Sequence, residues 1–393
     1  MKRYDYALLG GGAAGLSLAL ALVRSPLRDR SILIVDKDQK NRNDRTWSIW
    51  VSQPTPYDAI SYGRWDRMSF ISDGVRREFG LSPYRYQTLR GIDFYRFVQE
   101  ELGQYPNVEQ VLGSVEGLKD NPGSGSFSVD GIPYQANWIF DSRVTPGSLQ
   151  PNPQRFLYLK QHFKGWEIET PAAAFDPCCA TLFDLRTRQR AGLCFFYVLP
   201  FSPRRALVEY TLFSADLLDG AEYEQELKRY IEQQLKIKDY RIVEEETGVI
   251  PMTDHPFPRR LGKRILATGT RGGRIKPSTG YAFNRIQRDS QAIVSSLSRK
   301  GHPFDVPGYS FRRRFYDSLL LEIISNQGPA VKPIFEALFA HNPVQRIFRF
   351  LDEQSTLYED LLLISSLPSL PFLKALLAYL RRGGFNYTPP RSS

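Results

Sequence analysis

Tyr4-Asp5-Tyr6-Ala7-Leu8-Leu9-Gly10-Gly11-Gly12-Ala13-Ala14-Gly15-Leu16-Ser17-Leu18-Ala19 reads as a buried strand, a glycine turn and the start of an Ala/Leu-rich helix running to Val23. Gly10, Gly12 and Gly15 spell GxGxxG, and a second aliphatic run, Ser31 to Val35, closes on Asp36, 21 residues after Gly15. Strand, glycine turn, helix and acid-tipped strand form the βαβ unit that a dinucleotide phosphate site requires. Gly10 permits the tight turn. Gly12 lets backbone approach a pyrophosphate without a Cβ in the way. Gly15 and Ala19 let the helix lie close on the sheet, its positive dipole end facing the phosphates. Asp36 is the acceptor for ribose hydroxyls.

The motif stands at the head of the chain and no second GxGxxG follows it. That arrangement favours FAD as the resident cofactor, with NAD(P)H visiting only as a transient reductant. The uncharged stretch from Tyr6 to Val23 is not a signal or membrane helix, because four glycines interrupt it and no small-residue cleavage site follows.

The 393 residues suffice for two packed domains, or for one large α/β body with an inserted layer. Three cysteines (Cys178, Cys179, Cys194) include no CxxC and imply a reducing, cytoplasmic setting. The four histidines lie far apart, so no metal site is expected. The net charge of +10 is spread in doublets such as Arg204-Arg205, Arg259-Arg260 and Arg381-Arg382. It serves solubility or an anionic membrane surface; no motif points to nucleic acid.

Along the chain, strands are expected at Met68–Ser72, Val108–Leu118, Phe127–Val129 and Tyr134–Phe140, with a helix at Ile92–Leu102. Phe163–Thr170, Thr181–Leu185, Leu193–Leu199 and Ala206–Leu212 predict an antiparallel sheet of four or more strands. A helix at Ala221–Leu235 and a strand at Tyr240–Ile250 follow it. Arg264–Ala267 is a short strand leading through the loop Gly269–Gly280 into a helix ending near Ser298. From about Gly308 the pattern is helical, and Thr388–Ser393 reads as loose.

The opening unit, the strand ending Trp138-Ile139-Phe140-Asp141-Ser142-Arg143 and the loop Gly269-Thr270-Arg271-Gly272-Gly273 to Pro277-Ser278-Thr279-Gly280-Tyr281 resemble, in this order, the aromatic-hydroxylase-like FAD fold. Within it, the chain resembles the lycopene β-cyclases. The resemblance rests on Arg45-Thr46-Trp47-Ser48, the run Gln161 to Glu169, Phe175-Asp176 with Asp184, Phe196-Tyr197-Val198-Leu199-Pro200, Val208-Glu209-Tyr210-Thr211 and Pro277 to Tyr281. It covers roughly residues 5 to 285. Two departures stand out. The acidic motif of that family often has two adjacent acids, whereas Glu209 is followed by Tyr210, leaving a second acid open between Asp184 and Glu169. Hydroxylases carry Gly-Asp in the late loop, where this chain has Gly269-Thr270, as the cyclases do.

The implied fold is α/β: a Rossmann-type FAD-binding domain with an inserted antiparallel substrate sheet and a helical C-terminal part. The expected division is FAD-binding segments at 1–75, 91–150 and 247–300, substrate-domain strands at 76–90, the substrate sheet at 151–246 and the helical region at 301–393. The expected cofactor contacts are Gly10, Gly12, Ala13, Ala14, Gly15, Asp36, Lys37, Asp141, Gly269, Thr279 and Gly280, with Arg45 and Arg143 near the pyrophosphate.

The implied reaction closes the ends of lycopene or a related linear carotenoid into β rings with no net redox change and with the flavin reduced. It needs a dry acid, cation stabilisation and a placed base. Glu209, between Val208 and Tyr210, is the expected acid/base, with cation stabilisation as its alternative role. Phe196, Tyr197 and Tyr210 are tunnel candidates, with Phe195 and Tyr197 on one strand face and Phe196 on the other. His162 is given no role. The competing activities on this fold are an FAD-dependent monooxygenase and a geranylgeranyl-type reductase; a non-catalytic carotenoid carrier is the third reading. An insoluble substrate calls for peripheral membrane contact, and Ser369–Arg382, with leucines at helical spacing beside Lys374, Arg381 and Arg382 and with Ser369 as N-cap, is the amphipathic segment for it.

Overall fold

The computed structural model describes residues 1–145, 147–190 and 192–384; the terminal segment expected to be loose lies outside them. The elements run β1 (Lys2–Leu9), α1 (Ala13–Val23), β2 (Ile32–Asp36), β3 (Thr46–Val51), β4 (Gly63–Trp65), β5 (Arg67–Ile71), β6 (Arg76–Gly80), β7 (Arg85–Arg90) and α2 (Gly91–Leu102). Next come β8 (Val108–Leu112), β9 (Val115–Asn121), β10 (Ser124–Val129), β11 (Ile132–Asp141), β12 (Tyr158–Glu169), β13 (Cys179–Asp184), β14 (Leu193–Ser202), β15 (Arg205–Ser214), α3 (Gly220–Gln233), β16 (Arg241–Thr253) and β17 (Ile265–Ala267). Then follow α4 (Phe283–Lys300), α5 (Phe311–Asn326), α6 (Val331–His341), α7 (Val344–Leu351), α8 (Leu357–Ser365) and α9 (Ser369–Arg381).

One sheet has the order β8-β2-β1-β11-β10-β9, with β17 also on β11. Its β8, β2, β1, β11 and β17 are mutually parallel. The aliphatic run Ile32–Val35 is buried throughout because parallel strands are covered on both faces. Leu16, Leu18, Leu20 and Leu22 of α1 share a core with Ile293, Val294 and Leu297 of α4 and with Phe94 and Val98 of α2.

The second sheet has the order β16-β12-β15-β14-β13-β5-β6. It is antiparallel apart from the β13–β5 pair. Seven strands replace the expected minimum of four, because β16 joins one edge beside β12 and β5 and β6, distant in sequence, extend the other. A third, three-stranded sheet, β3-β7-β4, was not legible: its strands are short and do not alternate cleanly.

Alternation along β14 and β15 divides the second sheet. Cys194, Phe196, Val198, Val208, Tyr210 and Leu212 pack beneath α3 with Leu227, Tyr230 and Ile231. Phe195, Tyr197, Leu199 and Leu207 face the opposite way, toward the core that includes α5 to α7. In α9, Ser369 is already helical and Pro368 occupies the N-cap position, so the expected serine cap is absent. Ala375 and Tyr379 are buried, while Leu370, Leu373, Leu377 and Leu380 are exposed. Among the described residues no single helix is long and apolar enough to cross a membrane; the bent pair α8–α9, at 116°, passes by length and composition.

Candidate active site

The glycine turn is built by close approaches. Gly10 has φ +109°, and its N–H donates to the Val35 carbonyl at 2.8 Å. A Cβ on Gly15 would lie 1.9 Å from the Gly10 carbonyl oxygen, so only glycine lets α1 start there. Asp36 accepts from the Gly11 N–H at 2.5 Å through Oδ2 and from the Asp38 N–H at 2.8 Å through Oδ1, tying the end of β2 to the turn. Gly12 is the N-cap of α1, with no side-chain cap, and a Cβ on it would meet nothing within 4 Å. The first N–H groups of α1 therefore open into free space, as an anion-binding helix N-terminus does.

That space is a cavity of about 550 Å³, within the usual range for a small-molecule site. Its wall includes Gly12, Ala13 and Ala14 from the turn, Gly269, Thr270 and Gly280 from the late loop, and Tyr197, Leu199, Leu207, Glu209 and Glu246 from the second sheet. Trp50 Nε1 and Gln161 Oε1, both of residues on the wall, are buried polar atoms without a protein partner. Open N–H groups, a glycine that leaves room, and unmet polar atoms beside aromatic side chains fit a dinucleotide-type cofactor.

Several expected contacts are not on the wall. Gly10 and Gly15 shape the turn from behind, Asp36 is committed to backbone N–H groups, and Lys37 is exposed. Asp141 is fully buried and paired with Arg143 and Arg271, each at 2.9 Å. Its carboxylate joins the end of β11 to the late loop, so both Asp141 and Arg143 are organisers of the site and not wall residues. Thr279 lies behind the wall, its buried Oγ1 unpartnered. Arg45 is on the wall.

Four residues line up across the second sheet. Tyr197 of β14 is in register with Glu209 of β15, Glu209 with Gly165 of β12, and Gly165 with Glu246 of β16. Gly165 has no side chain between the two acids: a Cβ there would lie 3.2 Å from Glu246 Cγ and 3.4 Å from Glu209 Cβ. The two carboxyls thus meet over a strand that separates their backbones. Thr211 Oγ1 donates to Glu209 at 2.6 Å, and Thr46 Oγ1 donates to Glu246 at 2.6 Å. Burial pushes the Glu209 carboxyl well above its ordinary value of 4.5, and the neighbouring Glu246 pushes it further. Burial raises Glu246 as well. Two carboxyls this close cannot both ionise cheaply, so the pair favours holding a proton.

Glu246 is thus the acid that stands beside Glu209, and sequence reading missed it. It lies inside the expected strand, but only the register opposite Gly165 gives it a neighbour. Asp184 is fully buried away from the cavity, held by Arg186 and by the Tyr230 hydroxyl at 2.7 Å. Glu169 pairs with Arg241 at the sheet edge. Of the tunnel candidates, Tyr197 is on the wall. Phe196 and Tyr210 are not: they lie on the other sheet face, where Phe196 stacks on Tyr230 with ring centroids 3.8 Å apart and on Tyr210 at 4.8 Å. Trp50, Tyr86, Phe163 and Tyr281 supply the further aromatic wall. His162 sits between the Ser214 and Tyr223 hydroxyls at 2.7 and 2.6 Å, a structural tie.

Residues 5–377 match the family model of lycopene cyclase proteins. The chain is 25% identical to the lycopene beta-cyclase of Pantoea ananas over 96% of its own length and 98% of that protein's. It is 24% identical to the chloroplastic lycopene beta cyclase of Arabidopsis thaliana over 75% of its own length, and spans 60% of the plant protein. Among solved structures, a geranylgeranyl bacteriochlorophyll reductase-like protein of Thermoplasma acidophilum superposes with a TM-score of 0.61 at 12% identity, over 97% of this chain and 100% of that one. A flavin-dependent brominase does so with a TM-score of 0.59 at 14% identity, with the same coverages. The layered α/β architecture is thus a flavoprotein fold, and the match across almost the whole chain makes this protein a member of the lycopene cyclase family.

Proposed function

We propose that the chain is an FAD-dependent lycopene β-cyclase that closes the linear ends of lycopene into β rings, giving γ-carotene and β-carotene without net redox change. The observation that carries this reading is the Glu209–Glu246 pair: a proton-holding carboxyl and its partner in an aromatic cavity that also opens onto the glycine turn. The N–H groups at the start of α1, with Gly269, Thr270 and Gly280, are the residues that would hold FAD. Bound in its reduced form, FAD would supply negative charge beside a developing carbocation, with NAD(P)H as the transient source of its electrons.

The protein's own part is acid–base work. Glu209, held protonated by burial, delivers its proton to the terminal C1=C2 alkene, and the C5=C6 alkene attacks the resulting cation to form the ring. Glu246, kept by Thr46 in its orientation toward the site, accepts the proton lost from C6. The π faces of Tyr197, Trp50 and Tyr86 stabilise positive charge, and the apolar wall excludes water that would quench the cation. The outward leucines of α9 and Leu357 and Leu361 of α8, flanked by Lys374 and Arg381, rest on a cytoplasmic membrane face from which the substrate is drawn.

The test is pigment chromatography of a lycopene-accumulating bacterium expressing the wild-type chain or Glu209→Gln. Cyclised carotenoid from the wild type, lost in a folded variant that retains FAD, supports the reading. Unchanged lycopene with a folded, FAD-loaded wild-type protein overturns it.

A further inference from the structure

Glu246 lines a second, smaller cavity as well as the large one. This cleft, of about 20 Å³, has room for a single ordered water. Thr46, Leu207 and Glu246 belong to both cavities, and Glu246 is the one ionisable group among the three. Beside the apolar side chains of Phe201 and Leu207, the cleft carries a row of polar groups. Glu244 lies two residues before Glu246 on the same strand face, and in register with it stands Glu167, two residues beyond Gly165. Asn43 Nδ2 donates to Glu244 at 2.8 Å. Glu167 accepts from the Tyr62 hydroxyl at 2.8 Å and from Arg205 Nε. The Arg90 guanidinium lies 4.0 Å over the Tyr62 ring. Glu244 and Tyr62 are partly exposed, so the row of acids leads from solvent to the back of the buried pair.

We infer that the cleft behind Glu246 is the proton port of the active site, through which Glu244 and Glu167, with a water between them, exchange protons between solvent and the Glu209–Glu246 pair. The inference rests on the reading of that pair as acid and base. Each ring closure takes one proton from Glu209 and returns one from the substrate to Glu246, so the proton count balances within the pair. A sealed pair would hand the substrate's own proton back to Glu209 for the next ring. An open port replaces it from solvent before the next closure. The groups facing Glu246 suit this: Glu209 from β15 receives the proton, Thr46 from β3 orients the carboxyl, and Glu167 from β12 and Glu244 from β16 approach from the cleft side. The negative charges of Glu244 and Glu167 add to burial in raising the affinity of Glu246 for a proton, favouring transfer inward.

The experiment is cyclisation of lycopene in liposomes by FAD-loaded, reduced protein in D2O, with the deuterium content of the rings read by mass spectrometry. Wild type should place solvent deuterium in each ring. Glu244→Gln, and more fully the double variant Glu167→Gln/Glu244→Gln, should still cyclise but lose deuterium, with substrate-derived protium in its place; Glu244→Asp should restore it. Glu244 is partly exposed, and Gln at the buried Glu167 keeps an oxygen that can accept from Tyr62 and Arg205, so these variants are compatible with folding; deuterium content per ring is independent of how much protein is active. Deuterium equal to wild type in both Gln variants overturns the port. Absence of any cyclised product from wild type overturns the underlying cyclase reading instead.

Discussion

Glu209 and Glu246 meet across Gly165: each is in register with that glycine on opposite sides of β12, and the missing side chain lets their carboxyls share one dry site. Burial and like-charge proximity both favour a proton there, two effects that act in the same direction on Glu209.

Gly165→Ala tests that geometry. The added Cβ would lie 3.0 Å from Leu207 Cδ1 as well as against both acids, so the neighbours must give by a few tenths of an ångström. The protein should fold with a stability loss of about 1 kcal/mol. Its turnover should fall on the order of 10- to 100-fold, because small misplacements of reacting groups are costly. Thermal melts and steady-state rates on the same preparation check both.

The raised Glu209 carboxyl gives a pH dependence of defined sign. Its folded-state proton affinity exceeds the unfolded value, so its stabilising share is complete below the unfolded pKa and is lost as pH rises through the folded one. The wild-type melting temperature should therefore decline as pH rises above the ordinary carboxyl value of 4.5 toward the raised folded one. Glu209→Gln, with nothing to ionise, should decline less, so the gap between the two melts widens with pH. Turnover should fall as pH passes through the raised folded value and the acid is lost.

The outer face of α9 supplies a third prediction. Leu373 and Leu377 are each 56% exposed, so Leu373→Glu/Leu377→Glu removes apolar surface without opening the core. Stability should change by less than about 0.5 kcal/mol, as for other surface substitutions. Co-sedimentation with anionic phospholipid vesicles should drop to background.

The contrast between Gly15 and Glu246 shows what the sequence makes legible. Gly15 acts through neighbours five residues or fewer away, so the βαβ unit, its turn and the cofactor class it suits are written locally. Glu246 acts through strand register: β12 lies between it and Glu209, and the partner glycine is 81 positions earlier, so no local pattern marks it. Phe196 and Tyr210 illustrate a subtler limit. Alternation separates the two faces of β14, but which face meets the cavity depends on where α3 packs. Tyr210, next to the acid, points under α3, so a side chain at that position does not join the pair. Asp141 was recognisable as a motif residue, yet its work, pairing Arg143 and Arg271, appears only when β11 and the late loop are placed side by side.

A redox-neutral ring closure by protonation leaves the product with the mass of lycopene, and that mass is the first quantity to measure. Purified protein is given lycopene in liposomes with FAD and NADPH, and the cyclised or altered carotenoid is isolated and weighed by mass spectrometry. Protonation and deprotonation by the acid pair should give an isomer of lycopene, of identical mass. A product that has gained two hydrogens or an oxygen atom would contradict it and place the chain among the reductases or monooxygenases that share the fold.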